Sequence, residues 1–266
     1  MSRNQYVPRA FAKPATDFMA ANPRCALFAG MGMGKTVITE TYLDVIHNVL
    51  GESEPTLVMA PLRVARDTWP EESTKWDHLR NLSVMPIIGT AKERRAALRK
   101  DAQVYSINYE NLPWLMEALD GAWPFNNVIA DESTKLKGFR LRQGGARAKV
   151  LAKVAHTKAK RWVNLTGTPA ANGLQDLWGQ TWFLDQGQRL GRTFSAFTGR
   201  WFKEVPGGDG YSQIKPMPHA QEEIQERLSD ICLTLDPRYW FDIAEPIVNK
   251  IEVRLTPAAR SKYPSL

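Results

Sequence analysis

Residues 26–36 read Ala-Leu-Phe-Ala-Gly-Met-Gly-Met-Gly-Lys-Thr, and this stretch decides the fold class. A short apolar run leads directly into a glycine-rich segment that ends in Gly-Lys-Thr. The pattern over residues 37–50 predicts a helix immediately afterwards. A strand, a glycine-rich loop and a helix in this order are typical of a phosphate-binding loop. The alternative is a glycine-rich turn with a chance lysine, which leaves the flanking strand and helix unexplained.

The loop also predicts how a nucleoside triphosphate is held. Glycines allow backbone N–H groups to converge on phosphate oxygens, and the following helix presents its positive end. The ammonium group of Lys35 is expected to reach the β- and γ-phosphates, and the hydroxyl of Thr36 to bind Mg²⁺. The predicted ATP-binding residues of the loop are Gly30, Met31, Gly32, Met33, Gly34, Lys35 and Thr36.

A second pattern places two carboxylates at the end of an apolar strand. Residues 127–132 read Asn-Val-Ile-Ala-Asp-Glu, so Asp131 and Glu132 emerge at the carboxyl edge of the sheet, where open α/β sheets bind ligands. We predict that Asp131 holds Mg²⁺ together with Thr36, and that Glu132 polarises the attacking water. Lys35, Asp131 and Glu132 are therefore the predicted catalytic residues. On its own, an Asp-Glu pair at a strand end is equally consistent with a solvated acidic turn.

A third pattern follows another apolar run. Residues 165–169 read Leu-Thr-Gly-Thr-Pro, and we predict that Thr166, Gly167 and Thr168 relay the state of the nucleotide to a second ligand. Taken alone, the same residues also suit an ordinary turn that contains threonine and proline.

Short apolar runs alternate with amphipathic or charged segments along the first two thirds of the chain. This alternation predicts an α/β fold, with a mostly parallel sheet flanked by helices. The predicted strands are residues 26–30, 56–60, 83–88, 104–107, 127–131 and 162–166, and the predicted helices are 37–50, 63–76, 91–100 and 142–154.

The bulk composition limits the class of protein. Of the 266 residues, 43% are hydrophobic and 24% are charged, which suits a globular chain with a core. The two cysteines, Cys25 and Cys232, have no metal-ligand spacing, and no signal peptide or membrane-spanning stretch is present, so we expect a cytoplasmic protein that is not secreted. The net charge of +7 suits a polyanionic partner, although a merely soluble basic protein would carry it too.

Together the three patterns resemble the first motor lobe of superfamily-two helicases, and within them the Swi/Snf-like DNA translocases of phage and bacterial type. Further stretches extend the similarity over almost the whole chain. These are Ala-Pro-Leu-Arg-Val at 60–64, Trp-Pro-Glu-Glu at 69–72, Ser-Ile-Asn-Tyr-Glu at 106–110, Asp-Glu-Ser-Thr at 131–134, Leu-Thr-Gly-Thr-Pro-Ala-Ala-Asn-Gly at 165–173 and Leu-Gln-Asp-Leu-Trp at 174–178.

The resemblance implies a division of the chain. Residues 1–173 would form a RecA-like P-loop NTPase lobe, and residues 174–246 a helical protrusion with an exposed Gly/Pro-rich loop. Residues 247–266 would form a returning strand and the start of a link to a second RecA-like lobe. Because the chain stops early in what reads as a helix, we expect it to be a fragment that binds Mg-ATP weakly and hydrolyses it poorly. The tryptophans at 178, 182 and 201 are expected in the core rather than stacked on bases.

The resemblance also implies the partners, which are ATP, Mg²⁺ and DNA. The DNA would be double-stranded and held through its backbone, so binding would be independent of sequence. The residues expected to contact it are Arg63, Asn108, Tyr109, Lys137 and Arg140.

One departure concerns the base of the nucleotide. The family often carries an aromatic–glutamine pair before the loop, with the glutamine reading adenine, and here Ala12 stands in the place of the glutamine. Arg9 and Phe11 are the remaining candidates for packing near the base. The departure favours one alternative, an ATP-gated clamp on DNA without sustained turnover. An RNA helicase also stays open, whereas a small-molecule kinase would not explain residues 165–173.

Overall fold

The computed structural model describes residues 3–141, 146–206, 212–236 and 238. Its centre is a sheet of seven parallel strands in the order β3-β4-β2-β5-β6-β1-β9. The strands are β1 (Arg24–Ala29), β2 (Thr56–Ala60), β3 (Val84–Pro86), β4 (Val104–Asn108), β5 (Asn127–Asp131), β6 (Arg161–Thr166) and β9 (Cys232–Leu235).

Helices cover both faces of this sheet. One layer is formed by α1 (Ala12–Ala21), α2 (Lys35–Asp44) and α3 (Trp69–Lys75), and the other by α4 (Ala91–Leu98), α5 (Leu112–Leu119), α6 (Ala146–Ala155) and α7 (Asp176–Asp185). The side chains of β1 alternate between the two layers, because Leu27 packs with the first and Ala26 with the second. Burial on both faces explains why the central strands are apolar throughout.

Shorter elements complete the described part of the chain. π-Helical turns occur at Val45–Val49 and Val64–Thr68, and 3₁₀ turns at Asp77–Leu79, Tyr109–Asn111 and Ser133–Leu136. After α7 come α8 (Phe194–Trp201), an antiparallel hairpin of β7 (Phe202–Pro206) and β8 (Ser212–Pro216), and α9 (Ala220–Leu228).

The parallel sheet flanked by helices confirms the predicted fold class, and all six predicted strands are present. The third strand is shorter than predicted because only Val84–Pro86 pair with β4 at the edge of the sheet. Part of the predicted Gly/Pro-rich loop is the antiparallel pair of β7 and β8, and residues 207–211 between them lie outside the described residues. The predicted strand in 247–266 also lies outside them.

The predicted boundary after residue 173 is corrected by the packing of α7. The ring of Phe183 stacks on that of Trp162 in β6 at 5.0 Å, and the guanidinium of Arg24 in β1 donates to the Phe183 carbonyl at 2.9 Å. Farther along the chain, β9 pairs with β1 in the same sheet. Residues 174–185 and 232–235 therefore belong to the α/β lobe. The three tryptophans at 178, 182 and 201 are buried, as predicted.

The helix after the glycine-rich loop carries a buried acid without a partner. Glu40 in α2 is 0% exposed, and neither of its carboxylate oxygens has a hydrogen-bond partner among the described residues. Burial, with the charge of Glu72 as a smaller cause, raises the pKa of Glu40 well above its ordinary value. In the unfolded chain Glu40 ionises at its ordinary, lower pKa. The free energy of unfolding of the wild type therefore falls as the pH rises from that ordinary pKa through the raised pKa of the folded chain.

We therefore expect Glu40→Met to stabilise the chain. The free energy of unfolding should increase by about 1–3 kcal/mol at about pH 8, because the substitution removes an unpaired buried polar group. This increase should become smaller towards about pH 5, where ionisation of Glu40 in the unfolded chain no longer destabilises the wild type. Urea denaturation at both pH values measures the difference, with the exposed neighbour Glu71→Met as the control. Equal stability of the Glu40→Met variant and the wild type at both pH values would contradict this prediction.

No helix in the described ranges is long and apolar enough to cross a membrane.

Candidate nucleotide site and nucleic-acid surface

The glycine-rich loop closes over the carboxyl end of β1. The backbone φ angles of Gly32 and Gly34 are +76° and +73°, and residues that carry a Cβ rarely adopt such values. Gly34 is the residue directly before α2. The loop residues differ in their orientation, since Met31 is 96% exposed whereas Met33 is buried in the core. The backbone conformation thus depends on glycine at two of the predicted positions.

Lys35 lies folded against its own loop. Its Nζ donates to the carbonyl oxygens of Ala29 at 2.8 Å and Gly30 at 3.1 Å. Burial lowers the pKa of Lys35, an effect opposed by the nearby charges of Asp131 and Glu132. A cation that donates to two neutral carbonyls is suited to replace them with anionic phosphate oxygens.

Asp131 ends β5 and is almost fully buried. Its Oδ2 accepts a hydrogen bond from Nε1 of Trp69 at 2.9 Å, and its backbone carbonyl accepts one from the Tyr109 hydroxyl at 2.9 Å. Burial raises the pKa of Asp131, while the hydrogen bond from Trp69 and the charge of Lys35 oppose that rise. The carboxylate is therefore fixed in position and faces the lysine of the loop.

Glu132, which follows β5, is hydrogen-bonded to Thr166 at the end of β6. Its backbone is left-handed, with φ at +58°, and its Oε1 accepts hydrogen bonds from the hydroxyls of Thr134 at 2.6 Å and Thr166 at 3.0 Å. The Thr166 hydroxyl in turn accepts one from the backbone N–H of Thr168 at 3.2 Å. Thus the acidic pair and the Thr-Gly-Thr segment share one network.

The order of the strands brings these residues to the loop. Strand β6 lies between β5 and β1, with Asp131 opposite Leu165 and Phe28 opposite Thr166. A Cβ added at Gly167 would stand 3.2 Å from the carbonyl oxygen of Ala29, so this position touches the start of the loop.

The site fits a magnesium-bound triphosphate. The Thr36 hydroxyl and the Asp131 carboxylate are hard oxygen ligands of the kind that Mg²⁺ prefers, and Mg²⁺ usually takes few protein ligands beside phosphates and water. The described residues contain no group of three or more His, Cys, Asp or Glu side chains that could hold a metal ion.

A cleft of about 350 Å³ opens beside the loop at Gly32 and Gly34. Both residues proposed to pack near the base lie in its wall. Arg9 donates from its guanidinium to the Gly32 carbonyl at 3.3 Å, and Phe11 is buried next to Ala12. A nucleotide with its phosphates in the loop has room for its base here.

The predicted nucleic-acid contacts are in different environments. Arg63 is exposed just before the π-helical turn that follows β2. Lys137 is half-buried and pairs with the Asp176 carboxylate at 3.3 Å. The Nη1 of Arg140 donates to the backbone carbonyls of Lys137 and Phe139, and the guanidinium lies 3.4 Å from the ring centroid of Phe194.

Two of the predicted contacts need correction. Tyr109 is 1% exposed, and its hydroxyl donates to the backbone carbonyl of Asp131. Asn108 is also buried, and it bonds to the side chains of Glu110 and Asn111. Both face inward because the chain turns into a 3₁₀ segment directly after β4.

The sequence prediction missed three residues that support the acidic pair. Trp69 holds Asp131, while Gln180 accepts a hydrogen bond from the Ser133 hydroxyl at 2.8 Å. A Cβ at Gly179 would stand 2.6 Å from two backbone carbonyls of the turn after the pair, so only glycine allows α7 to approach it this closely. Gly179, a glycine inside the tryptophan-rich helix α7, was the one available signal.

The comparisons with known proteins agree with this geometry. The family described as the SNF2-related domain matches residues 17–251. The chain belongs to the SNF2-related family. It is 53% identical over 260 residues to putative protein p41 of Acyrthosiphon pisum secondary endosymbiont phage 1, covering 97% of this chain and 56% of that protein. It is 32% identical over 163 residues to Helicase ssl-1 of Caenorhabditis elegans, covering 58% of this chain and 6% of the helicase.

The fold is shared with two solved SNF2-type cores. A Sulfolobus solfataricus SWI2/SNF2 ATPase core in complex with double-stranded DNA has a TM-score of 0.66 at 24% identity, over 88% of this chain and 46% of that one. The Sulfolobus solfataricus SWI2/SNF2 ATPase core domain has a TM-score of 0.64 at 23% identity, and the match covers 98% of this chain and 51% of that one. This SNF2-related chain thus spans about half the length of its phage relative and of both cores.

Proposed function

We propose that this SNF2-related chain is the ATP-binding lobe of a DNA translocase that hydrolyses ATP when a second RecA-like lobe completes it. The observation that carries the proposal is the network around Glu132, which joins the acidic strand end to Thr166 beside the loop lysine. A kinase needs a phosphate loop but no such link to the neighbouring strand.

In this proposal the residues of the site have separate roles in ATP hydrolysis. Lys35 moves from its loop carbonyls to the β- and γ-phosphates, where its positive charge stabilises the charge that develops during transfer. Glu132 accepts a proton from the water that attacks the γ-phosphorus in line. Thr36 and Asp131 would hold Mg²⁺, which when bound neutralises phosphate charge.

Thr166 and Thr134 have a positioning role in this proposal. Their hydroxyls both donate to Oε1 of Glu132, so the carboxylate keeps one orientation and its second oxygen stays available to water. A change at the γ-phosphate would alter this pair of hydrogen bonds and so shift the segment 166–168. We infer that this shift is the signal to the nucleic acid.

Duplex DNA is the partner that the basic charge and the relatives favour. Arg63 is our first candidate for a phosphate contact, and Lys137 the second, because a DNA phosphate could replace the Asp176 carboxylate. Arg140 and the buried Asn108 and Tyr109 are left out of this proposal. One of the two Sulfolobus cores was solved with double-stranded DNA, which supports duplex over single strands or RNA.

A second lobe is part of the proposal because arginines supplied in trans accelerate phosphoryl transfer by about 10³–10⁵-fold in related systems. The alternative function, an ATP-gated clamp, is favoured by Ala12, where the family often has an adenine-reading glutamine. A clamp would hold duplex DNA in the presence of ATP without sustained hydrolysis of the ATP.

Binding of labelled nucleic acids tests the DNA part of the proposal. We expect this chain to bind two duplexes of unrelated sequence equally and to prefer them to single strands and to duplex RNA. Arg63→Ala should weaken binding to both duplexes alike and reduce the slope of log affinity against log salt by about 1. Fluorescence anisotropy at several salt concentrations measures all of these quantities.

Arg66→Ala is the matched control, since this exposed arginine is already paired with Asp67 at 2.8 Å. A slope that Arg63→Ala leaves unchanged would remove Arg63 from the interface. Tighter binding to RNA than to duplex DNA would favour the RNA helicase instead.

A further inference from the structure

The cleft beside the loop contains a carboxylate that the proposed chemistry does not use. Glu72 of α3 lines this cleft together with Tyr6, Lys75 and Trp76. Its side chain is only 20% exposed. The lining also includes the apolar side chains of Phe11, Ala12, Val37 and Ile38.

Among the described residues, one carboxylate oxygen of Glu72 accepts a hydrogen bond and the other does not. Oε1 accepts from the indole Nε1 of Trp76 at 2.5 Å and lies 3.4 Å from Nζ of Lys75. Oε2 has no hydrogen-bond partner within the part of the chain that the structure describes. The Tyr6 ring meets that of Trp76 edge-on at 5.2 Å, so the polar wall is packed in place.

An ionised carboxylate only accepts hydrogen bonds, so the group that meets Oε2 must donate one. Adenine offers its 6-amino group as a donor where guanine and hypoxanthine offer a carbonyl oxygen, which a carboxylate repels. Ala12, which lines the same cleft, has no polar side chain that could meet a base. Glu72 reaches the same cleft from a different helix.

We propose that Glu72 determines base specificity by accepting a hydrogen bond from the 6-amino group of adenine at Oε2. The inference rests on the proposed function, because it requires the phosphates to lie in the loop at Gly32 and Gly34. It adds a specificity residue from α3, and it makes the preference for adenine independent of a glutamine at position 12.

The test compares ATP with ITP, in which a carbonyl oxygen replaces the 6-amino group. The wild-type chain should bind Mg-ATP at least about tenfold tighter than Mg-ITP, as expected for one hydrogen bond to a charged group. In Glu72→Gln the ratio should fall to about two or less, because an amide can also donate to the carbonyl of ITP. Inorganic tripolyphosphate should bind both proteins equally.

A purely structural role for Glu72 makes a different prediction. Glutamine still accepts the hydrogen bond from Trp76, so a structural role would leave the ratio of ATP to ITP affinity unchanged. Glu71→Gln, on the exposed face of the same helix, is the matched control and should keep the wild-type ratio. Thermal melting of each variant checks its folding, and the wild-type comparison needs no variant at all.

The outcomes separate the two proposals. Equal affinity of the wild type for ATP and ITP, or an unchanged ratio in a folded Glu72→Gln variant, would overturn the role of Glu72 alone. Failure of the wild type to bind ATP, ITP and tripolyphosphate would overturn the nucleotide site itself and the inference with it.

Discussion

Lys35→Ala weakens binding of Mg-ATP by about 10- to 100-fold, the loss expected for charge-assisted hydrogen bonds to phosphate. The Nζ of Lys35 donates to the carbonyls of Ala29 and Gly30, and among the described residues it has no acidic partner in bonding distance. Isothermal titration calorimetry measures the affinity. Since burial lowers the pKa of Lys35, binding should also decline at a less alkaline pH than for an ordinary lysine.

The matched control is Lys158→Ala, which removes an exposed lysine far from the loop in sequence and should leave the affinity unchanged. The melting temperature of Lys35→Ala should stay close to that of the wild type, because the loop conformation depends on Gly32 and Gly34. If Lys35→Ala binds Mg-ATP as tightly as the wild type, the loop does not hold the phosphates.

Glu132→Gln lowers the rate of ATP hydrolysis by about 10²–10⁴-fold, which is the usual contribution of a general base. Affinity for Mg-ATP should change little, because glutamine keeps an oxygen that accepts from Thr134 and Thr166. The rate is measured in a single turnover, with duplex DNA and with a second RecA-like lobe joined to the chain. Glu110→Gln, which changes an exposed acid in the 3₁₀ turn after β4, is the control.

An equal loss of binding and of rate in Glu132→Gln would assign this residue to holding the nucleotide rather than to activating water. Full activity would remove it from the mechanism.

Much of the site could be predicted from the sequence because its parts are local. The strand–loop–helix around Lys35 and the apolar run before Asp131 each lie within about a dozen residues, and the parallel sheet follows from their alternation. The edge strand Cys232–Leu235 was not predicted, since four residues with little alternation carry no clear period.

The remaining features depend on contacts between distant segments. The hydrogen bond from Thr166 to Glu132 requires β6 to lie between β5 and β1, and a sequence does not state the order of its strands. Tyr109 reads as an exposed polar residue in a loop, yet its ring is enclosed and its hydroxyl meets Asp131. The cleft at Glu72 likewise combines three segments that are far apart in the chain.

Steady-state ATP hydrolysis with and without duplex DNA tests the central claim most directly. It should be measured for the 266-residue chain and for a complete product in which a second RecA-like lobe is joined to this chain, each beside its Lys35→Ala variant. We predict negligible turnover by the 266-residue chain, and DNA-stimulated turnover that requires Lys35 in the complete product. Robust DNA-stimulated turnover by the 266-residue chain would contradict the need for a second lobe, and a complete product that DNA does not stimulate would contradict the motor.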